Sequence, residues 1–357
     1  MQYSVTVPGA TYGGTVQFSA AAINNIASGI ARLRDAMARF DDTGRASTIV
    51  GSDLRTDPFS VSSGTSGLYF ISGQNQVGGA ISVEGGVNRF VGGSLRWPLG
   101  LSGNWAITTS GGQSEISLGR GADTVMTGGS DTVHAGSGTL LLQVSAGNTR
   151  GPTVDALSGF VTFVGGASGG AVINNGGSSG GLILLGSGGG NVARAGAGNT
   201  TLIGGGGGDL MYANTVTGAK ATALYASGND TMIGGGKGAD TFYGYSYISG
   251  NGDVLIDVSK AQSGQVVVLG AGNDTVKLTS RGSDTVYASN PRTDGVANDL
   301  LVGWDRKDVL YLGGYASAPV FTQTAVGLQA TLSDGTAITF AGITNQSAIR
   351  IVFGNSV

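Results

Sequence analysis

The sequence predicts an all-β solenoid with a short N-terminal hairpin and helix at one end and a β cap at the other. Three observations predict it. Of 357 residues, 68 are Gly, 11% are charged and 40% are hydrophobic. Ordinary globular chains carry about 7% Gly and about 25% charged residues, so this chain is too apolar to remain disordered and too glycine-rich to be mainly helical. From Thr48 onward no segment shows sustained helical periodicity, and short runs of Val, Ile, Leu, Thr, Tyr and Phe alternate with Gly, Ser and Asn, which is the pattern of strands and turns. Many of those runs are centred about 10 to 25 residues apart, the scale of a solenoid coil rather than of a sandwich hairpin.

Composition also excludes. The glycines keep no period of three, as collagen requires, and no stretch approaches the ~20 apolar residues of a membrane-spanning helix. With a net charge of −3 and scattered Lys and Arg, no basic stripe exists to engage nucleic acid. The absence of Cys removes disulfide and thiol chemistry and leaves the redox compartment open. Met1 to Ala10 lacks a basic segment followed by an apolar one, so no cleaved export signal is expected.

Residues 1–47 form the first region. Tyr3–Val7 and Gly14–Phe18 alternate as two strands joined by a turn at Pro8-Gly9. Ile23, Ile26, Ile30, Leu33, Met37 and Phe40 then draw one narrow apolar stripe, predicting a helix over about Ala20–Phe40 that either caps the core or serves as an assembly seam. Residues 48–118 begin the solenoid, with strands expected at Leu68–Ile71, Ala80–Val83, Trp105–Thr109 and Glu115–Leu118. Residues 119–290 are its Gly-rich body, with runs at Phe160–Val164, Leu182–Leu185, Thr200–Ile203, Val254–Val258 and Gln265–Leu269. Between Asp155 and Asp209 the only charged residue is Arg194, so such a stretch has almost nothing to blunt exposed sheet edges. Residues 291–357 read as a closing β region, where Ser333-Asp334-Gly335 between two alternating apolar runs predicts a hairpin turn.

One element recurs through the body: a glycine turn, Asp, usually Thr, then an apolar residue. It appears around Asp123, Asp131, Asp209, Asp230, Asp240, Asp274 and Asp284, as in Gly236-Lys-Gly-Ala-Asp240-Thr-Phe and Gly270-Ala-Gly-Asn-Asp274-Thr-Val. These residues resemble the GGxGxDxux nonapeptide of the RTX, or haemolysin-type calcium-binding, family, whose repeats wind a parallel β-roll. The resemblance implies Ca²⁺ as the bound ion and those seven aspartates as its ligands, because calcium takes six to eight oxygens and stacked glycine turns bring carbonyls and carboxylates together. The spacing departs from the family: Asp123 to Asp131 is eight residues, Asp230 to Asp240 and Asp274 to Asp284 are ten, and Asp209 to Asp230 is 21. The other reading of the same residues is a set of side-chain ladders that satisfy backbone groups. Leu301 to Tyr315 and Val326 to Phe340 are similar to the module that closes RTX repeats, which implies export by the type I route and a secreted, extracellular or cell-surface location.

Catalytic patterns are thin. His134 is the single histidine, so a two-histidine zinc site cannot be built. Ser168 and Ser179 satisfy GxSxG, yet no helix follows and His134 precedes them, against the order that a nucleophile elbow needs. The expectation is therefore a non-enzymatic, calcium-binding structural protein that pairs with itself in a filament, biofilm matrix or surface layer. The alternatives are a polysaccharide-binding adhesin, with Trp97, Trp105, Trp304 and the tyrosines stacking on sugars, and a carbohydrate-active β-helix enzyme using carboxylates.

Overall fold

In a computed structural model of the chain, the described residues are 2–7, 14–19, 47–50, 59–61, 67–71, 78–83, 87–91 and 104–355, without 112, 120, 149, 157, 176–178, 216–218, 237, 246–251 and 291–295. The chain divides into two compact units, Met1–Ser179 and Gly180–Val357.

The first unit opens with the antiparallel hairpin β1 (Gln2–Val7) and β2 (Gly14–Ser19), in register from Gln2↔Ser19 to Val7↔Gly14. Its coils then follow as β3 (Ser47–Val50), β4 (Phe59–Val61), β5 (Gly67–Ile71), β6 (Gly78–Val83), β7 (Val87–Val91), β8 (Asn104–Thr109), β9 (Gln113–Ser117), β10 (Ala122–Thr127), β11 (Thr132–Ala135), β12 (Thr139–Val144), β13 (Thr153–Ala156), β14 (Phe160–Val164) and β15 (Val172–Asn174). Each strand pairs in parallel with the strand two places on, so odd strands build one sheet and even strands another. That is a β-solenoid, as the run spacing predicts: one circuit lays one strand on each sheet. The helix expected over Ala20–Phe40 and the turn at Pro8-Gly9 lie outside the described residues.

The second unit repeats the plan with β16 (Gly180–Leu184), β17 (Val192–Arg194), β18 (Asn199–Ile203), β19 (Leu210–Tyr212), β20 (Thr222–Tyr225), β21 (Thr231–Ile233), β22 (Thr241–Tyr243), β23 (Leu255–Asp257), β24 (Val266–Val268), β25 (Thr275–Lys277), β26 (Thr285–Ser289), β27 (Asn298–Val302) and β28 (Val309–Gly313). It ends differently. β29 (Val320–Gln323), β30 (Gly327–Thr331) and β31 (Ala337–Ala341) run antiparallel to one another, with β31 lying parallel against β27, while β32 (Arg350–Gly354) continues the even sheet beside β28. The hairpin turn at Ser333-Asp334-Gly335 is present: Gly335 takes a φ of +91°, and the Asp334 carboxylate accepts the Thr336 N–H at 2.9 Å.

The core follows from strand alternation. In a three-residue strand such as β21 the Thr231 and Ile233 side chains point outward and Met232 inward, giving the half-buried, buried, half-buried pattern common in the second unit. Inward residues stack in columns, Met211–Met232–Ile256–Val276–Leu301 on one sheet and Leu224–Phe242–Val267–Val286–Leu310 on the other. All ten are fully buried, each worth about 1.5–3 kcal/mol as a large apolar side chain removed from water. Glycine permits the tight stacking at the corners. A Cβ on Gly205 would run into the carbonyl oxygens of Leu185 and Gly186 in the preceding coil, so any other residue there would force the coils apart.

Candidate functional site

The seven motif aspartates occupy one structural position. Asp131, Asp209, Asp230, Asp240, Asp274 and Asp284 each stand one residue before a strand, and Asp123 is the second residue of β10. All seven are at most 4% exposed. Glycines in the left-handed region lead into several of these corners: Gly208 (φ +84°) before Asp209, Gly228 (φ +89°) before Asp230 and Gly272 (φ +99°) before Asp274. Without that turn the aspartate would not be carried under the preceding coil.

In every case Oδ1 accepts the backbone N–H of the register-equivalent residue one coil earlier. The donors are Trp105 to Asp123 (3.0 Å), Ser114 to Asp131 (2.8 Å), Asn191 to Asp209 (2.9 Å), Asp209 to Asp230 (2.8 Å), Thr222 to Asp240 (2.8 Å), Val254 to Asp274 (3.1 Å) and Gln265 to Asp284 (2.8 Å). The second oxygen usually closes the local turn, taking the N–H of Gly205 for Asp209, Ser227 for Asp230, Gly270 for Asp274 and Thr279 for Asp284. Asp131 instead accepts the Thr109 hydroxyl at 2.6 Å. The carboxylate thus stands in for a missing carbonyl and joins three pieces of backbone at one corner.

Sequence reasoning missed several rungs. Asp299 accepts the Asp274 N–H, Asp308 accepts those of Asp284 and Asp305, and Gln265 accepts that of Asp240 through its amide oxygen. The available signal was an Asp followed directly by paired apolar residues, Asp299-Leu-Leu and Asp308-Val-Leu, without the glycine run that marks the other copies.

Burial disfavours the ionised form. It pushes Asp123 up to about 7, against the Trp105 N–H that holds it down. Burial likewise raises Asp230, Asp240 and Asp284 to about 6; the Asp209 carboxylate adds to the rise at Asp230, and those of Asp308 and Asp305 at Asp284. Asp131, Asp209 and Asp308 also shift upward, with burial the main cause.

A calcium shell needs six to eight oxygens at about 2.3–2.6 Å around one point. The ladder carboxylates are already committed to N–H donors, and among the described residues no group of three or more His, Cys, Asp and Glu is arranged to hold a metal. No three of the seven aspartates converge on one point, so their carboxylates alone do not complete such a shell. The buried Oδ2 of Asp240 accepts no hydrogen bond, so a cation or a proton there would relieve it.

The other candidates fall out as follows. His134 lies on the outer face of β11, 3.6 Å from Glu115 on one side and 3.6 Å from Asp155 on the other. Ser168 and Ser179 sit in turns that lead into the strands β15 and β16 rather than into a helix. Trp105 and Trp304 are buried in the core, Trp304 edge-on to Phe340 with its indole N–H donating to the Ala348 carbonyl at 3.2 Å, so neither is open to a sugar. Trp97 lies outside the described residues. Among the described residues no helix is long and apolar enough to cross a membrane. No family model, curated protein or solved structure matches the chain.

Proposed function

We propose that the chain is an extracellular structural protein that associates with copies of itself into a filament or surface layer. The observation that carries this reading is the open edge at its C-terminal end. Among the described residues β29 and β32 are the last strands of their sheets, and each leaves one side of its backbone without a neighbouring strand. Such an edge is a template for another chain unless charge or proline blunts it. β29 (VFTQ) has neither and β32 (RIVFG) has a single Arg, while Val320 is 69% and Phe353 47% exposed. Secretion by the type I route is supported by the resemblance of the motif and of the closing region.

Negative-stain microscopy of the full chain, in calcium and in chelator over a range of concentrations, tests the proposal. Ordered fibres or sheets are expected, and they should be lost in Val320→Lys with Gln323→Pro, which spoil the edge without entering the core. Monodisperse particles under every condition would overturn it. Order seen only in calcium would assign the ion to contacts between copies.

A further inference from the structure

The even sheet of the second unit carries on its outer face a column of tyrosines with one rung missing. Register places Tyr225, Tyr243, Val268, Tyr287 and Tyr311 side by side on successive strands β20, β22, β24, β26 and β28. Tyr225 and Tyr243 stack face to face, with centroids 4.3 Å apart and planes 2° from parallel, and Tyr287 and Tyr311 pair at 4.7 Å. Between the two pairs the column holds only Val268, short and 4% exposed.

A cavity of about 510 Å³ opens at this gap, lined by Tyr243, Val268, Tyr287 and Tyr311, with Thr241 and Asn355 among the remaining wall residues. Pockets for small ligands run about 300–1,000 Å³ and are mainly apolar with a few polar groups that fix orientation. Neighbouring strands lie about 4.8 Å apart, so Tyr243 and Tyr287, two strands apart, bracket room for about one ring at the spacing that the existing pairs already adopt.

We infer that this slot binds a neutral pyranose, one sugar unit held between Tyr243 and Tyr287 over the Val268 floor. Size alone would admit any flat ring, and the chemistry of the walls selects. Among the described residues none that lines the slot is charged, which disfavours uronates, sulfated sugars and nucleotides, whose charge would be buried without a partner. Phenol faces suit the apolar C–H face of a sugar, and the Tyr and Thr hydroxyls with the Asn355 amide can both donate and accept hydrogen bonds, as sugar hydroxyls require. Asn355 of the lining directly follows the edge strand β32, so the inference is tested on the dispersed chain, where assembly cannot cover the slot.

Saturation-transfer NMR on the dispersed full chain, with methyl gluco-, galacto- and mannopyranosides as probes and methyl glucuronide as the charged control, tests it. At least one neutral probe should bind in the millimolar range and the glucuronide about tenfold more weakly. Val268→Tyr restores the missing rung and should abolish transfer while the thermal midpoint holds or rises; Tyr243→Ala opens one wall and should weaken binding by about tenfold or more. No transfer from any neutral probe, transfer that persists undiminished in Val268→Tyr, or preference for the glucuronide would each overturn the inference. Binding of p-cresol with no binding of the sugars would also overturn it, and would assign the slot to an aromatic side chain.

Discussion

The two units solve the same corner problem by different means. In the second unit the register-equivalent positions at or just before the strand starts are mostly polar: Asn191, Asp209, Asp230, Asp274 and Asp299 on one sheet, and Thr200, Thr222, Asp240, Gln265, Asp284 and Asp308 on the other. In the first unit the rungs beyond Asp123 and Asp131 are apolar, Leu140 and Val161 on one sheet, Pro152 and Ala171 on the other. Pro152 shows why this works. It has no N–H to satisfy, so the following coil can place Ala171 there with nothing to accept, and the coils are held by the Pro152 carbonyl receiving the Val172 N–H at 3.0 Å. A buried carboxylate is needed where a corner leaves an N–H without a carbonyl, and is superfluous where the donor is absent.

The largest expected effect tests what the units share. Phe163→Ala in the first and Phe242→Ala in the second both empty a fully buried site and should each cost about 3–5 kcal/mol in denaturant unfolding. A markedly smaller loss in one unit would mean that its core is not packed like the other's.

Next comes the contrast itself. Asp274→Ala strands the N–H groups of Val254 and Gly270 and should cost about 2–4 kcal/mol. Paired with Asp240→Ala, the loss should be equal in calcium and in chelator; a loss confined to calcium would return these residues to an ion site. The converse substitution, Ala171→Asp, adds the motif residue to the first unit where Pro152 offers no donor. It should destabilise by about 1–3 kcal/mol, and a stabilising outcome would break the account of Pro152.

Acidity separates the two kinds of corner further. The folded-state values near 6 to 7 for Asp123, Asp230, Asp240 and Asp284 lie above the ordinary 3.8, so between those limits the native state holds more protons than the unfolded one. Their contribution is then full below about pH 4 and is lost as pH rises through about 6 to 7. Thermal midpoints in chelator should fall by several degrees between pH 5 and pH 8, and Asp→Asn replacements at these four rungs should flatten that slope. The smallest effect is at the surface. Lys277→Ala removes a half-exposed ion pair with Asp257 at 3.5 Å and should change stability by about 0.5 kcal/mol or less.

Much of the fold was legible because a solenoid repeats its local rules. Phe160–Val164 is a strand at the bounds that its sequence suggested, and the N-terminal hairpin pairs as its alternation required. Val254–Val258 and Gln265–Leu269 came out one residue shorter at each end, as Leu255–Asp257 and Val266–Val268; at the N-terminal end the reason is that the Val254 and Gln265 N–H groups go to carboxylates rather than to ladder carbonyls. The motif located the corner aspartates, but its chemistry was not local. Whether Asp274 serves an ion or an N–H depends on Val254 one coil away, and no spacing in the sequence shows that Val268 interrupts a column of tyrosines drawn from separate circuits.

Because each corner carboxylate reaches back to the equivalent residue of the circuit before it, the second unit is interchangeable along its length. Removing residues 209–229 would bring Asp230 beneath Asn191 and Asp240 beneath Thr200, so the Asn191 N–H would find again the carboxylate that it had lost. A gene encoding such a chain can gain or lose whole windings by unequal crossing-over, and the molecule's length becomes a matter of counting rather than of redesign.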